Sequence, residues 1–97
     1  MTPQYGQTQS QAGGAASANL QLSQANAQAT RVRVTMGGAT GSVVAFFRLG
    51  NGAQTATAAD MPICGGTYID VDKSKNDDNF ACIAPSGTPT FYVTPIY

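Results

Sequence analysis

Arg31-Val32-Arg33-Val34-Thr35-Met36 alternates strictly, with Val32, Val34 and Met36 on one side of an extended chain and Arg31, Arg33 and Thr35 on the other. Successive side chains of a strand point to opposite faces, so this period of two predicts a half-buried β-strand. The glycine-rich run 37–41 then reads as a turn. Val43-Val44-Ala45-Phe46-Phe47-Arg48-Leu49 after it is apolar at both parities, which predicts a strand covered on both sides, and Gly50-Asn51-Gly52 supplies the next reversal. Residues 54–60 are small and polar, suited to an edge strand or a loop.

The same grammar continues outward. Met61-Pro62-Ile63-Cys64 is extended, Gly65-Gly66 interrupts it, and Thr67-Tyr68-Ile69-Asp70-Val71-Asp72 resumes alternation with Ile69 and Val71 inward. A polar turn over 73–79 precedes Phe80-Ala81-Cys82-Ile83-Ala84, and a Pro85-Ser86-Gly87 turn precedes Thr90-Phe91-Tyr92-Val93-Thr94. Two hairpins are expected within residues 67–94. Short strands about ten residues apart, with no convincing helix, predict an all-β domain: a small β-sandwich or jelly-roll-like barrel.

Residues 1–30 differ in kind, carrying no charged side chain and including seven Gln and seven Ala. So little apolar surface does not offset ordering entropy, and the expectation is an extended N-terminal arm over 1–30 attached to a sandwich body over 31–97. Leu20 and Leu22 alternate with polar neighbours as in a short strand, and a helix through Leu22, Ala25 and Ala29 is the competing reading. A body of that size is small for a core without staples, so association with other subunits is expected.

Five basic and five acidic residues in 97 leave the chain neutral and poor in charge. The basic residues are dispersed, which argues against nucleic acid as a partner, and no apolar run approaches the ~20 residues of a membrane-spanning helix. With no leader pattern at its start, the chain is expected to stay in the cytoplasm where it is made. Cys64 and Cys82 lack metal-ligand or redox spacing and are expected to be buried thiols rather than a disulfide.

The chain has no His, Glu or Trp. The commonest general base and metal ligand are therefore missing, and neither Cys has a neighbouring base to activate it, so an enzyme is not expected and no cofactor is implied. Asp70 and Asp72 could pair as acid and base, but solvated or ion-paired carboxylates are the simpler reading. The stretch from Asp70 onward fails as a calcium loop, having Lys75 where glycine is needed and Ala81 where a bidentate carboxylate belongs. Arg31 and Arg33 share one strand face, as do Asp70 and Asp72, and two cross-strand ion pairs follow if those strands are neighbours. Among the aromatics, one member of Phe46–Phe47 and of Phe91–Tyr92 is expected in the core and the other against a partner; Phe47 and Tyr92 are assigned to subunit contact. Tyr5, Leu20, Leu22, Arg31 and Arg33 are assigned to partner binding.

Arg31-Val32-Arg33-Val34, the run Val44–Gly50, the segment Thr57–Ile63 followed by Gly65-Gly66, and Ala84-Pro85-Ser86-Gly87-Thr88 leading to Tyr92-Val93-Thr94-Pro95 together resemble a group of short virion structural proteins of tailed bacteriophages and prophages. The resemblance covers about two thirds of the chain, from residue 31. It implies a particle component, most like capsid decoration or cement proteins: a homotrimer that binds and stabilises the shell of major capsid protein, with extended termini clamping neighbouring subunits. The place of action would be the capsid surface of the virion. A tail or host-attachment module binding a receptor or a glycan through loops such as 73–79 is the alternative, with the missing Trp and the few aromatics expected at the surface counting against a glycan.

Overall fold

The structure, a computed structural model, describes residues 6–37, 43–85 and 87–96. Among these residues eight strands form: β1 (Gln9–Ala12), β2 (Ala18–Gln21), β3 (Arg31–Gly37), β4 (Val44–Gly50), β5 (Met61–Cys64), β6 (Tyr68–Asp72), β7 (Asn79–Ile83) and β8 (Thr90–Ile96), with one helical turn, α1 (Gln24–Ala27), after β2. Sheet I has the order β1-β8-β3-β6 and sheet II the order β2-β7-β4-β5. Every pairing is antiparallel.

The pairings 1·8, 2·7, 3·6 and 4·5 nest inside one another, as when one long double ribbon is wrapped into two facing sheets. The all-β sandwich expected from the alternation is present, and its connectivity is that of a jelly roll. The two hairpins expected over 67–94 are not. β6 and β8 lie in sheet I while β7 lies in sheet II, so the β6–β7 and β7–β8 connections are arches that cross between sheets. Turn residues report that the chain reverses and are silent about which sheet receives it.

Parity sets the core. Val32, Val34 and Met36 of β3 and Phe91 and Val93 of β8 face Ala45 and Phe47 of β4, Ile63 of β5, and Phe80 and Cys82 of β7. Phe80 sits between Phe47 and Phe91, with ring centroids 5.7 and 5.8 Å away. Gly13 closes the roll over this cluster, since a Cβ there would lie 2.8 Å from the Phe91 ring.

Residues 6–30 are not an arm laid away from the body. β1 pairs with β8, β2 pairs with β7, and Leu22 is buried in the common core. Polar bonds take the place of apolar burial along this side. The Gln9 Oε1 accepts from the Ser23 backbone N–H at 2.8 Å and from Asn26 Nδ2 at 2.9 Å, while Asn26 Nδ2 also donates to the Gln7 carbonyl at 2.8 Å. Asn26 is only 2% exposed, and Ser23 caps α1 by accepting from the Asn26 backbone N–H. An uncharged Gln-rich segment can therefore order on its own chain, because its amides satisfy the backbone groups they bury. The strand and helix readings for 18–29 each hold in part, the strand over Ala18–Gln21 and a helical turn over Gln24–Ala27.

Lys73 anchors the first arch. Its Nζ donates to the carbonyls of Ala27 at 2.6 Å and of Ser74 and Asp77 at 2.9 Å, and burial holds its pKa below the ordinary lysine value. The arch also has the expected Asx chemistry, with the Asp77 carboxylate accepting from the Ser74 backbone N–H at 3.0 Å.

Candidate functional site

A filled sandwich leaves its two outer faces, its edges and its arches to meet other molecules. Among the described residues no cluster of three or more His, Cys, Asp or Glu side chains could hold a metal ion. No helix among the described residues is long and apolar enough to cross a membrane. An open cleft of about 350 Å³ lies between β2, α1 and the arch, lined by amide side chains, Lys75 and Asp78, with Leu22 and Ala27 also on its wall.

Sheet I presents polar and aromatic groups. The register places Arg33 opposite Asp70 and Arg31 opposite Asp72, so the cross-strand pairs foreseen from the sequence exist. Arg33 is held in bidentate fashion, Nε to Oδ1 at 2.8 Å and Nη2 to Oδ2 at 3.1 Å, and this bond keeps the Asp70 carboxyl below its ordinary pKa. The outer pair, Arg31–Asp72, is looser at 3.6 Å and largely exposed. The Arg33 guanidinium also stacks over the Tyr68 ring at 4.2 Å. Tyr92 and Tyr68 lie in one row across the sheet, both facing Thr35 of the strand between them.

Sheet II differs in chemistry. Because Ala45 and Phe47 face inward, Val44, Phe46 and Arg48 face outward. Phe46 lies opposite Pro62 on one side and Ile83 on the other, and Val44 lies opposite Cys64. Val44 is 39% exposed and Pro62 and Cys64 are exposed, so β5, β4 and β7 carry a continuous apolar strip ending in a free thiol. The other half of this face is covered by the chain itself. The segment between β4 and β5 crosses it, with the Ala56 backbone N–H bonded to Ser17 Oγ at 2.8 Å and the Gln54 backbone N–H to Asn19 Oδ1 at 2.9 Å.

Several assigned residues lie elsewhere than expected. Phe47 is 2% exposed and belongs to the core, so it makes no subunit contact; Phe46 is the outward member of the pair. Arg48 carries the parity signal in the sequence, since a charged residue two positions from Phe46 marks that parity as outward. Leu22 is core, and Leu20 packs against the core opposite Phe80, so neither is presented to a partner. Arg33 is half-buried in its ion pair, whereas Arg31 and Tyr92 are exposed. Tyr5 lies outside the described residues. Cys82 is buried as expected, and burial pushes its thiol up to about 11, so it stays protonated; Cys64, expected inside, is exposed.

No protein-family model matches the chain, and no curated protein does. Among solved structures, a chain from the disulfide-linked pili of Bacillus endospore appendages is similar, with 17% sequence identity and a TM-score of 0.56 over 99% of this chain and 86% of that chain. At that identity the likeness is one of fold.

Proposed function

We propose that this chain is a structural subunit acting through protein contact: a decoration (cement) protein of a tailed-phage capsid, seated on the shell of major capsid protein and assembling as a homo-oligomer, a trimer as in the proteins its sequence resembles. The observation that carries the reading is the apolar strip Val44, Phe46, Pro62 and Ile83 on sheet II. A continuous outward apolar row in so charge-poor a chain has the character of an interface centre, where charge is depleted and aromatic and aliphatic groups gather. The contact role expected of residues 1–30 passes to this face, since β1 and β2 complete the two sheets. Many identical weak contacts over a shell would sum to firm binding.

The test is co-sedimentation of the purified protein with shells of its major capsid protein. Saturable binding is expected, lost in a Phe46→Asp/Ile83→Asp variant whose thermal transition stays close to that of the parent. Absence of binding, or full binding by the folded variant, would refute the assignment. A second reading has its own observation: Cys64 is a free thiol at the end of the strip, and the structurally similar chain comes from disulfide-linked pili. A subunit cross-linked through Cys64 would give a ladder on non-reducing gels that Cys64→Ser abolishes.

A further inference from the structure

The geometry points to a second binding surface on the opposite side of the sandwich, the outer face of sheet I, which takes a neutral, β-linked glycan chain across Tyr68 and Tyr92. Tyr68 is 58% and Tyr92 40% exposed, the two most outward large aromatics among the described residues. Both stand opposite Thr35, on either side of β3. Two inter-strand steps of about 4.8 Å put them roughly 10 Å apart across the sheet. Each ring leans a different way along β3. A Cβ on Gly37 would lie 3.2 Å from the Tyr92 ring, so that ring lies down over the glycine backbone, while the Tyr68 ring stacks with one face against the half-buried Arg33 guanidinium and is itself 58% exposed. The line joining the rings therefore runs obliquely across β3, a span of about two to three pyranose units.

Chemistry selects the occupant. The charges on this face cancel in pairs, the half-buried Arg33 with Asp70 and the exposed Arg31 with Asp72, so the face carries no net charge to attract an acidic polymer or nucleic acid. Between and beside the rings stand hydroxyls, including the Thr8–Thr94 pair at 2.7 Å. No exposed aliphatic branched side chain faces outward from this sheet among the described residues, unlike the strip on sheet II, which disfavours a protein as occupant. Flat aromatic faces with hydroxyls between them match a ribbon of equatorial pyranose rings, whose C–H faces stack on π-systems while their hydroxyls lie at the rim. Both rings are braced before any ligand arrives, Tyr68 by Arg33 and Tyr92 by the Gly37 backbone, so little side-chain entropy is lost on binding.

The experiment uses the isolated full chain, free of any shell, so that its outcome is separate from the capsid assignment. Native affinity electrophoresis is run through gels containing soluble hydroxyethylcellulose or glucomannan, with soluble starch and alginate as the helical and the acidic comparisons. Retardation by the two β-linked neutral polymers is expected, with about a tenfold weaker affinity in Tyr68→Ala and in Tyr92→Ala, a loss of about 1.4 kcal/mol each. Tyr→Phe variants keep the rings and are expected to keep most of the affinity. Three results would overturn the proposal: no retardation of the parent chain, stronger retardation by alginate, or retardation unchanged in the folded double alanine variant. Loss of shell binding in that double variant, with no glycan binding by the parent, would instead assign the face to protein contact.

Discussion

Truncating Leu22 to alanine tests whether the leading segment is part of the fold. Leu22 is 4% exposed and packs in the core with Phe80, and its backbone N–H donates to the Asp78 carbonyl at 2.9 Å. Leu→Ala at a buried site costs about 2–5 kcal/mol, the transfer of the lost methyl groups plus the cavity left behind. About 3 kcal/mol suits this position, which lies beside the open cleft where the chain can partly collapse. For a domain of this size each kcal/mol moves the melting temperature by roughly 4–8 °C, so a drop of roughly 12–24 °C is expected. Circular dichroism with heat and urea measures it, and an unchanged urea m-value would show that the denatured state is unaltered. Gln21→Ala, one residue earlier and exposed, serves as the comparison and is expected to shift stability by less than about 0.5 kcal/mol. A free arm would make both substitutions silent. If Leu22→Ala melts within ~2 °C of the parent, the nesting of β2 into sheet II is wrong.

Two further outcomes follow from the ionisable groups. The Arg33 bond holds the Asp70 carboxyl below its ordinary range, so its stabilisation is complete above the unfolded value of ~3.9 and is lost as pH falls through the lower folded value; Asp70→Asn should cost about 1 kcal/mol at neutral pH and flatten the acid limb of a stability–pH curve. An acid limb as steep in Asp70→Asn as in the parent would refute the linkage. The thiols should separate kinetically: an aromatic disulfide reagent should titrate Cys64 promptly in the native protein, whereas Cys82, fully buried with its thiol pushed up to about 11, should react only on the timescale of unfolding. Prompt reaction of both would show that sheet II opens locally.

Much of this fold is legible where side chains differ sharply in polarity. Arg31 to Met36 reads directly as a strand, and Arg33 and Asp70 name their own register, because opposite charges at period two leave one sensible alignment. Phe46 and Phe47 are harder, since a run apolar on both faces loses its parity signal, and only Arg48 breaks the tie. Gln9 to Ala12 is close to illegible: β1 contains no large apolar residue, and what holds it is backbone pairing to β8 and the amide of Gln9, neither of which composition reports. The arches share that difficulty. Lys73 reads as one more solvated charge in a polar turn until the carbonyl of Ala27, distant in sequence, converges on it.

The nested topology also changes the argument for association. Residues 31–97 alone would leave β7 and β8 each with an unpaired edge, and Phe91 without the Gly13 lid that covers its ring. Such a body would need company to be stable. With residues 6–30 wound into both sheets, Val34, Phe80, Phe91 and Val93 are fully buried within one chain, and the stability reason for seeking a partner weakens. Association then has to be explained by what remains on the surface. Among the described residues the strip on sheet II stays apolar and open to solvent, while the 51–60 segment shields the adjoining part of that sheet. A chain that covers half a sheet face with its own loop and leaves the other half apolar has separated folding from assembly, so a charge introduced at Phe46 or Ile83 should disturb the second and spare the first.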